Sequence, residues 1–410
     1  MKKIFYAKAV YGKNEITAAT NVLKKNPLSL MDGKNVKKLE KIVARIFGKK
    51  FALMVNSGSS ANLLALSSLN LKKGSEIITP TLTFSTTVAP IYQLGLIPKF
   101  VDVEKDKYVA DLTQIKKAIN NKTKAMFIPN LLGNIPDWDK IKKLCKRKKI
   151  FLIEDSADTI GYKIRGRTTG HYSDIVTTSF YASHIVTGAG FGGMVCFNDK
   201  KFYEKAKVLR AWGRSSAIYN ENENIKNRFK KEKLKINYDK KYIFLEFGYN
   251  FIPSEFSAAF AIEQIKSLRK NFLKRNKNFK ILSNYLKKYK ELIEIPKQEK
   301  YIKTCWLAYP FIIKPNKFFS RNELQMYLEK NNIQTRVIFS GNILKQPLMK
   351  KKKYIKIQGC DVISNYIMKN GILIGCHHGM KDKELKYVCS KIDQFLFLKV
   401  HKKKATFKLS

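Results

Sequence analysis

An α/β fold is what the sequence predicts: a large domain on a mainly parallel, mixed sheet with helices on both faces, followed by a smaller α+β domain. Three observations lead there. From about residue 36 to 200, short apolar segments alternate with segments of helical spacing, the pattern of parallel strands joined by crossover helices. Polar clusters follow three of the apolar segments, "FALMV", "IFLIE" and "IVTTSF", and ligands of such sheets bind at the carboxyl ends of strands. The 410 residues, 44% of them hydrophobic, suit two domains with real cores.

The elements follow in order. "VKKLEKIVARIFG" (residues 36–48) has helical spacing and a glycine at its end, the signal for a helix that stops at Gly48. "FALMV" is a short apolar strand and "SSANLLALSSLNL" the helix after it. "EIITP", "IPKFVDV", "KAMFIPN", "IFLIED", "DIVTTSF" and "GGMVCFN" read as further strands. Residues 215–241 are charged and poor in apolar side chains, as in a long insertion or flap. A long helical pattern begins near Ser254 and continues through "FSAAFAIEQIKSLRKNFLKRNKNFKILSNYLKKY", enough to bridge two domains. "AYPFIIK", a helix around "RNELQMYLEKNN", and "IQTRVIFSG" belong to the smaller domain. The expected division is 1–265 for the N-terminal segment and large domain and 266–410 for the small one.

Composition narrows the function. With 80 Lys and Arg against 32 Asp and Glu, the formal charge is +48. A polyanionic partner or an acidic membrane surface would explain it. The lysines are scattered, however, and the densest runs, "KKLCKRKK", "MKKKKY" and "HKKK", lack the interleaved aromatics of a nucleic-acid platform. Solvated helix faces are the simpler reading, and nucleic acid is not expected as a partner. No two of the six cysteines are spaced as C-x-x-C, so neither a zinc knuckle nor a redox pair is expected, and no metal. The basic start is broken at Lys8 and makes a poor signal peptide, and no stretch of 18 apolar residues exists. A cytoplasmic protein with reduced thiols and no membrane contact is the expectation.

Two motifs carry chemistry. "NSGSSAN" (residues 56–62) joins a strand to a helix, where free backbone N–H groups and serine hydroxyls either bind an anion or merely cap the helix. "FLIEDSAD" places Glu154, Asp155 and Asp158 at the end of a buried strand, either as acids of a helix N-terminus or as a carboxylate facing a cationic ring nitrogen.

Together with "EIITPTLTFSTTVAPIYQLGLIPKFVDV", "SFYASHIVTGAGFGG", "FGYNFIPSEFSAAFAIEQI" and "TRVIFSGNILKQP", these segments resemble, in order and spacing, the sugar aminotransferase and dehydratase group of the pyridoxal-phosphate enzymes. The resemblance covers roughly residues 10–400 and implies the fold type I of pyridoxal-phosphate-dependent transferases, that of aspartate aminotransferase. It implies that Gly58 and Ser59 hold the cofactor phosphate, that Ser179 adds a hydroxyl, and that Asn250 reaches it from a neighbouring subunit. A homodimer with shared active sites follows. Phe84 would stack on the pyridine ring and Asp155 pair with its nitrogen, keeping it protonated so that the ring accepts electrons. Asp158 would lie near the ring, where the aminotransferases more often carry an amide or imidazole.

The resemblance also implies that His184 stands where those aminotransferases keep the lysine that condenses with the cofactor's aldehyde. An imidazole cannot hold the cofactor that way, although it can still give and take protons. This exchange is similar to that in the 3-dehydratases of the colitose and ascarylose routes, which make the 3,6-dideoxysugars of lipopolysaccharide O-antigens. The implied reaction is removal of the C3 hydroxyl of a GDP- or CDP-linked 4-keto-6-deoxyhexose. Pyridoxamine phosphate would be the working cofactor form, His184 the catalytic residue, and L-glutamate the amine source. Arg214, Arg336 and His377 are candidates for the substrate's pyrophosphate. The iron–sulfur cluster of the ascarylose enzymes needs four cysteines; one would fall at Ala157 and the others in residues 215–233, which contain none. Two alternatives stay open: a nucleotide-sugar aminotransferase with a substituted lysine, and a noncatalytic protein of this fold that binds polyanions.

Overall fold

A computed structural model describes residues 2–25, 30–218, 225–229 and 236–401. In chain order the strands are β1 (Phe51–Val55), β2 (Glu76–Pro80), β3 (Ile97–Val101), β4 (Thr123–Pro129), β5 (Phe151–Asp155), β6 (Lys163–Ile164), β7 (Arg167–Thr168), β8 (Ile175–Ser179), β9 (Gly193–Phe197), β10 (Ile293–Glu294), β11 (Ile302–Lys303), β12 (Tyr309–Ile313), β13 (Ile355–Lys356) and β14 (Gly371–Ile374). Eight of them form one sheet in the order β1-β9-β8-β5-β4-β2-β3-β13. All neighbours pair in parallel except β9, which runs antiparallel to both β1 and β8. The seven strands expected from the apolar runs are all present, with ends shifted by two residues at most. They are buried almost throughout because both faces of the sheet are covered.

The reversed strand sets up the site. Gly193 pairs with Val55 and with Ser179, so it sits between the carboxyl ends of β1 and β8. A Cβ there would lie 2.3 Å from the Ser57 carbonyl oxygen and 2.6 Å from the Gly58 nitrogen. Only a glycine lets the turn into the helix Gly58–Ser68 approach so closely. That helix starts at Ser57, whose Oγ accepts from Ser60 N at 3.1 Å.

Elsewhere the helix Lys34–Phe47 ends at Gly48 in the left-handed conformation, as expected from its glycine. Its first turn is capped from far away: buried Glu255 accepts from Asn35 N (3.0 Å) and Val36 N (2.8 Å). The long helical pattern from Ser254 is not one helix. It breaks at Ser267 (φ −90°, ψ 0°) into Glu255–Lys266 and Leu268–Leu286. Apolar spacing continues across the break, which is why periodicity misses it. In the charged segment 215–241, the short turns Ser215–Ala217 and Ile225–Arg228 are helical; residues 219–224 and 230–235 of the expected flap lie outside the described residues.

Strands β10, β12 and β14 form a second sheet, and β11, β6 and β7 a third. A separate apolar cluster around Trp306, Phe311, Leu328, Ile374 and Phe395 also takes in Ile4, Leu82 and Leu131. Ile4 is therefore built into this second core, although it lies within the 1–265 segment.

Candidate functional site

A cavity of about 740 Å³ opens at the carboxyl ends of the central strands. His184, Gly58, Ser59, Phe84, Asp155, Asp158, Ser179 and Arg336 all line it.

Asp155 ends β5 and is 7% exposed. Its Oδ2 accepts from Asn62 Nδ2 (2.9 Å) and Thr87 Oγ1 (2.8 Å), and its Oδ1 from the Ala157 amide (3.2 Å). Burial raises its pKa, against these hydrogen bonds, which favour the charged form. Asn62 is itself aimed by Thr177, whose hydroxyl donates to Asn62 Oδ1 at 2.6 Å. Asn62, Thr87 and Thr177, which hold Asp155 directly or in turn, were not singled out from the sequence, although "NSGSSAN", "FSTTVAP" and "DIVTTSF" contain them.

Asp158 is 6% exposed and accepts from Leu132 N at 2.9 Å. Leu132 presents that amide from a left-handed conformation (φ 58°), an uncommon posture for leucine. Burial pushes the Asp158 carboxyl up to about 7. His184 Nε2 lies 3.9 Å from Asp158 Oδ1. The imidazole lines the cavity, is 18% exposed and sits edge-on to Tyr181. Burial lowers its pKa to about 4, so it is a neutral base near pH 7.

The N-terminus of the helix Gly58–Ser68 also faces the cavity. A Cβ on Gly58 would lie 2.6 Å from Ser179 Cβ and 2.9 Å from its Oγ. The glycine thus leaves a cradle between free helix N–H groups and a serine hydroxyl, with exposed Ser59 beside it. Phe84, 54% exposed, stands at the start of the helix Ser85–Gln93. No lysine lines the cavity among the described residues.

Three expected residues do not line it. Arg214 lays its guanidinium 4.4 Å from the Trp212 ring centroid and 5.6 Å from that of Tyr242. His377 is 3% exposed, with Nε2 3.1 Å from the Phe5 carbonyl oxygen, which makes it a packing residue in this chain. Asn250 is exposed outside the cavity, with its backbone bridged to Ala211. Tyr6, unforeseen, does line the cavity. All six cysteines are buried free thiols, and no group of three metal-ligating side chains occurs among the described residues. No described helix is long and apolar enough to cross a membrane.

Solved structures define the class: this is the fold of the pyridoxal-phosphate-dependent aminotransferases. The Escherichia coli GDP-4-keto-6-deoxy-D-mannose-3-dehydratase, solved with bound hydrated pyridoxal phosphate, matches with TM-score 0.84 and 31% identity over 95% of this chain and 99% of that one. An aminotransferase from Psychrobacter cryohalolentis matches in fold, with TM-score 0.86 at 21% identity over 97% of this chain and all of that one. The chain belongs to the DegT/DnrJ/EryC1/StrS aminotransferase family, which it matches over residues 10–393. Curated relatives include a dTDP-4-dehydro-2,6-dideoxy-D-glucose 3-dehydratase from Saccharopolyspora spinosa (34% identity, 90% of this chain, 82% of that protein). A GDP-4-keto-6-deoxy-D-mannose 3-dehydratase from Yersinia pseudotuberculosis is 33% identical over 93% of this chain and 95% of that protein.

Proposed function

We propose that this protein is a pyridoxal/pyridoxamine-phosphate-dependent dehydratase that removes the C3 hydroxyl of a GDP- or CDP-linked 4-keto-6-deoxyhexose, with L-glutamate as amine source and no iron–sulfur cluster. The observation that carries this is His184 on the wall of a cavity that no lysine lines among the described residues; desolvation favours its neutral form. An aminotransferase of this class would need that lysine.

The residues fit the cofactor. The Gly58 cradle, with Ser59 and Ser179, suits a dianionic phosphate. Asp155, hydrogen-bonded by Asn62 and Thr87, suits a protonated ring nitrogen, and that positive charge would hold the carboxylate ionised despite burial. Phe84 offers a ring face. Bound in its amine form, the cofactor supplies an amine for the C4 ketone and a sink for the electrons that deprotonation leaves. His184 Nε2 takes that proton from carbon, and the imidazolium so formed is the acid that protonates the departing C3 hydroxyl. Asp158, 3.9 Å away, stabilises the imidazolium when ionised. The products would be the 3-deoxy ketone and ammonia, with L-glutamate, oxidised to its keto acid, as the source of the amine. A homodimer completes the site, with Asn250 facing the neighbour's phosphate.

The test is mass spectrometry of products after incubation with L-glutamate and each of a panel of nucleotide-linked 4-keto-6-deoxyhexoses. A product one oxygen lighter than substrate, with ammonia released, is expected. A 4-amino sugar as sole product would instead establish an aminotransferase.

A further inference from the structure

We infer that residues 4–7 form a strap that positions Arg336 in the cavity through the ring of Tyr6, and that Arg336 so held binds the anionic oxygens of a substrate. The strap is pinned on all sides. Ile4 N donates to Asn332 O and Gln334 N to Ile4 O, each at 2.8 Å, and Tyr6 N donates to Gln334 Oε1 at 3.3 Å. The Phe5 carbonyl faces His377 Nε2 at 3.1 Å. Gly375 completes the slot: a Cβ there would lie 2.6 Å from the Phe5 oxygen and 3.4 Å from Tyr6 Cα. The buried histidine expected at the substrate thus clips the strap instead.

The strap delivers Tyr6 and Ala7 to the cavity wall, where Arg336 also lies. The guanidinium carbon is 4.9 Å from the Tyr6 ring centroid, and one terminal nitrogen donates to Thr335 O at 2.7 Å. The Arg336 backbone is fixed by paired bonds to Leu373 (3.0 and 2.7 Å). Arg336 is the one Lys or Arg lining the cavity among the described residues. An aromatic face orients a guanidinium without using its in-plane donors, which stay available for a two-oxygen anion. The elements around Gly58 already account for the cofactor phosphate. On the proposed function, two further anions enter: the carboxylate of the amino donor and the diphosphate of the nucleotide sugar.

The test compares wild-type holoenzyme with Tyr6→Ala, Tyr6→Phe and Arg336→Gln. One arm measures the L-glutamate concentration that half-saturates the absorbance change of bound cofactor; the other measures the Kd of GDP and of CDP by calorimetry. Neither arm requires dehydration, so failure of the proposed C3 reaction leaves this test standing. Tyr6→Ala should weaken at least one arm by about 3- to 30-fold, and Arg336→Gln by more. Cofactor content and melting temperature should stay near wild type. Tyr6→Phe should restore binding, because it keeps the ring face. Weakening on the glutamate arm identifies a carboxylate, weakening on the nucleotide arm a diphosphate, and weakening on both a shared anion position. No change in either arm for Arg336→Gln overturns the inference, even if Tyr6→Ala fails to fold. So does Tyr6→Phe proving as weak as Tyr6→Ala, or a general loss of cofactor and stability in its place.

Discussion

His184 and Asp158 face each other at 3.9 Å, and burial moves their proton affinities in opposite directions, down to about 4 and up to about 7. Near neutrality the pair presents an unprotonated imidazole beside a carboxyl that can hold a proton. A carboxyl poised near neutrality can ionise beside the imidazole and so favour the imidazolium that forms when His184 takes a proton.

The same shifts give pH dependences of opposite sign. Between pH 3.8 and about 7 the folded protein holds the Asp158 proton that the unfolded chain has released, so this group's contribution falls as pH rises. His184 acts in reverse: its contribution is lost as pH drops from 6.5 toward about 4. In cofactor-free protein, Asp158→Asn should therefore gain melting temperature relative to wild type as pH rises from about 4 to 8, by a few degrees. Calorimetry at several pH values checks this. A difference that does not change with pH would contradict the raised carboxyl.

Gly58→Ala should weaken cofactor binding by at least about tenfold, because the new methyl meets Ser179 Cβ at 2.6 Å and fills the cradle. Ser179→Gly in the same protein should recover part of that loss, since it removes the atoms struck. Fluorescence titration with pyridoxal phosphate measures both. Equal affinity for Gly58→Ala and wild type would remove this end of the site from the account.

Much of this was legible from the chain. Five-residue apolar runs bounded by turn residues marked the strands of the large sheet, and a polar cluster at a strand end marked Asp155 and Asp158, whereas Ser179 and His184 came only from the family resemblance. The reversal of β9 was not legible, because an antiparallel strand buried on both faces has the same apolar composition as its parallel neighbours. Nor was Tyr6, whose partner Arg336 is brought to it only by the second core. In one chain Arg214 and His377 lie off the cavity wall, the first beside the Trp212 ring and the second buried against the Phe5 carbonyl, placements that residue type alone does not foresee.

Iron should play no part in turnover. Ala157 lines the cavity where the resemblance would put a cluster ligand, and the six cysteines are buried apart from it. Purified protein should lack the visible absorption of a [2Fe–2S] centre and turn over with glutamate alone. Activity that appears only with iron, sulfide and a reductase would refute the cluster-free chemistry.

Asn250 should act across a subunit boundary. In one chain its side chain is exposed outside the cavity, so a role at the phosphate requires a second copy. Asn250→Ala should lower cofactor affinity while the protein still sediments as a dimer. A wild-type protein that is monomeric and fully active at assay concentration would exclude shared sites.

Borohydride reduction followed by intact-mass measurement asks whether the cofactor is held without a lysine tether. Borohydride fixes the cofactor to a protein only where an amine has condensed with its aldehyde. Wild-type protein loaded with pyridoxal phosphate should gain no mass. His184→Lys should gain one cofactor per chain, with dehydration reduced by roughly 10² to 10⁴-fold for want of a neutral base. A wild-type adduct mapped to any lysine would show that the cavity works through a tether, and His184 would lose the role given to it.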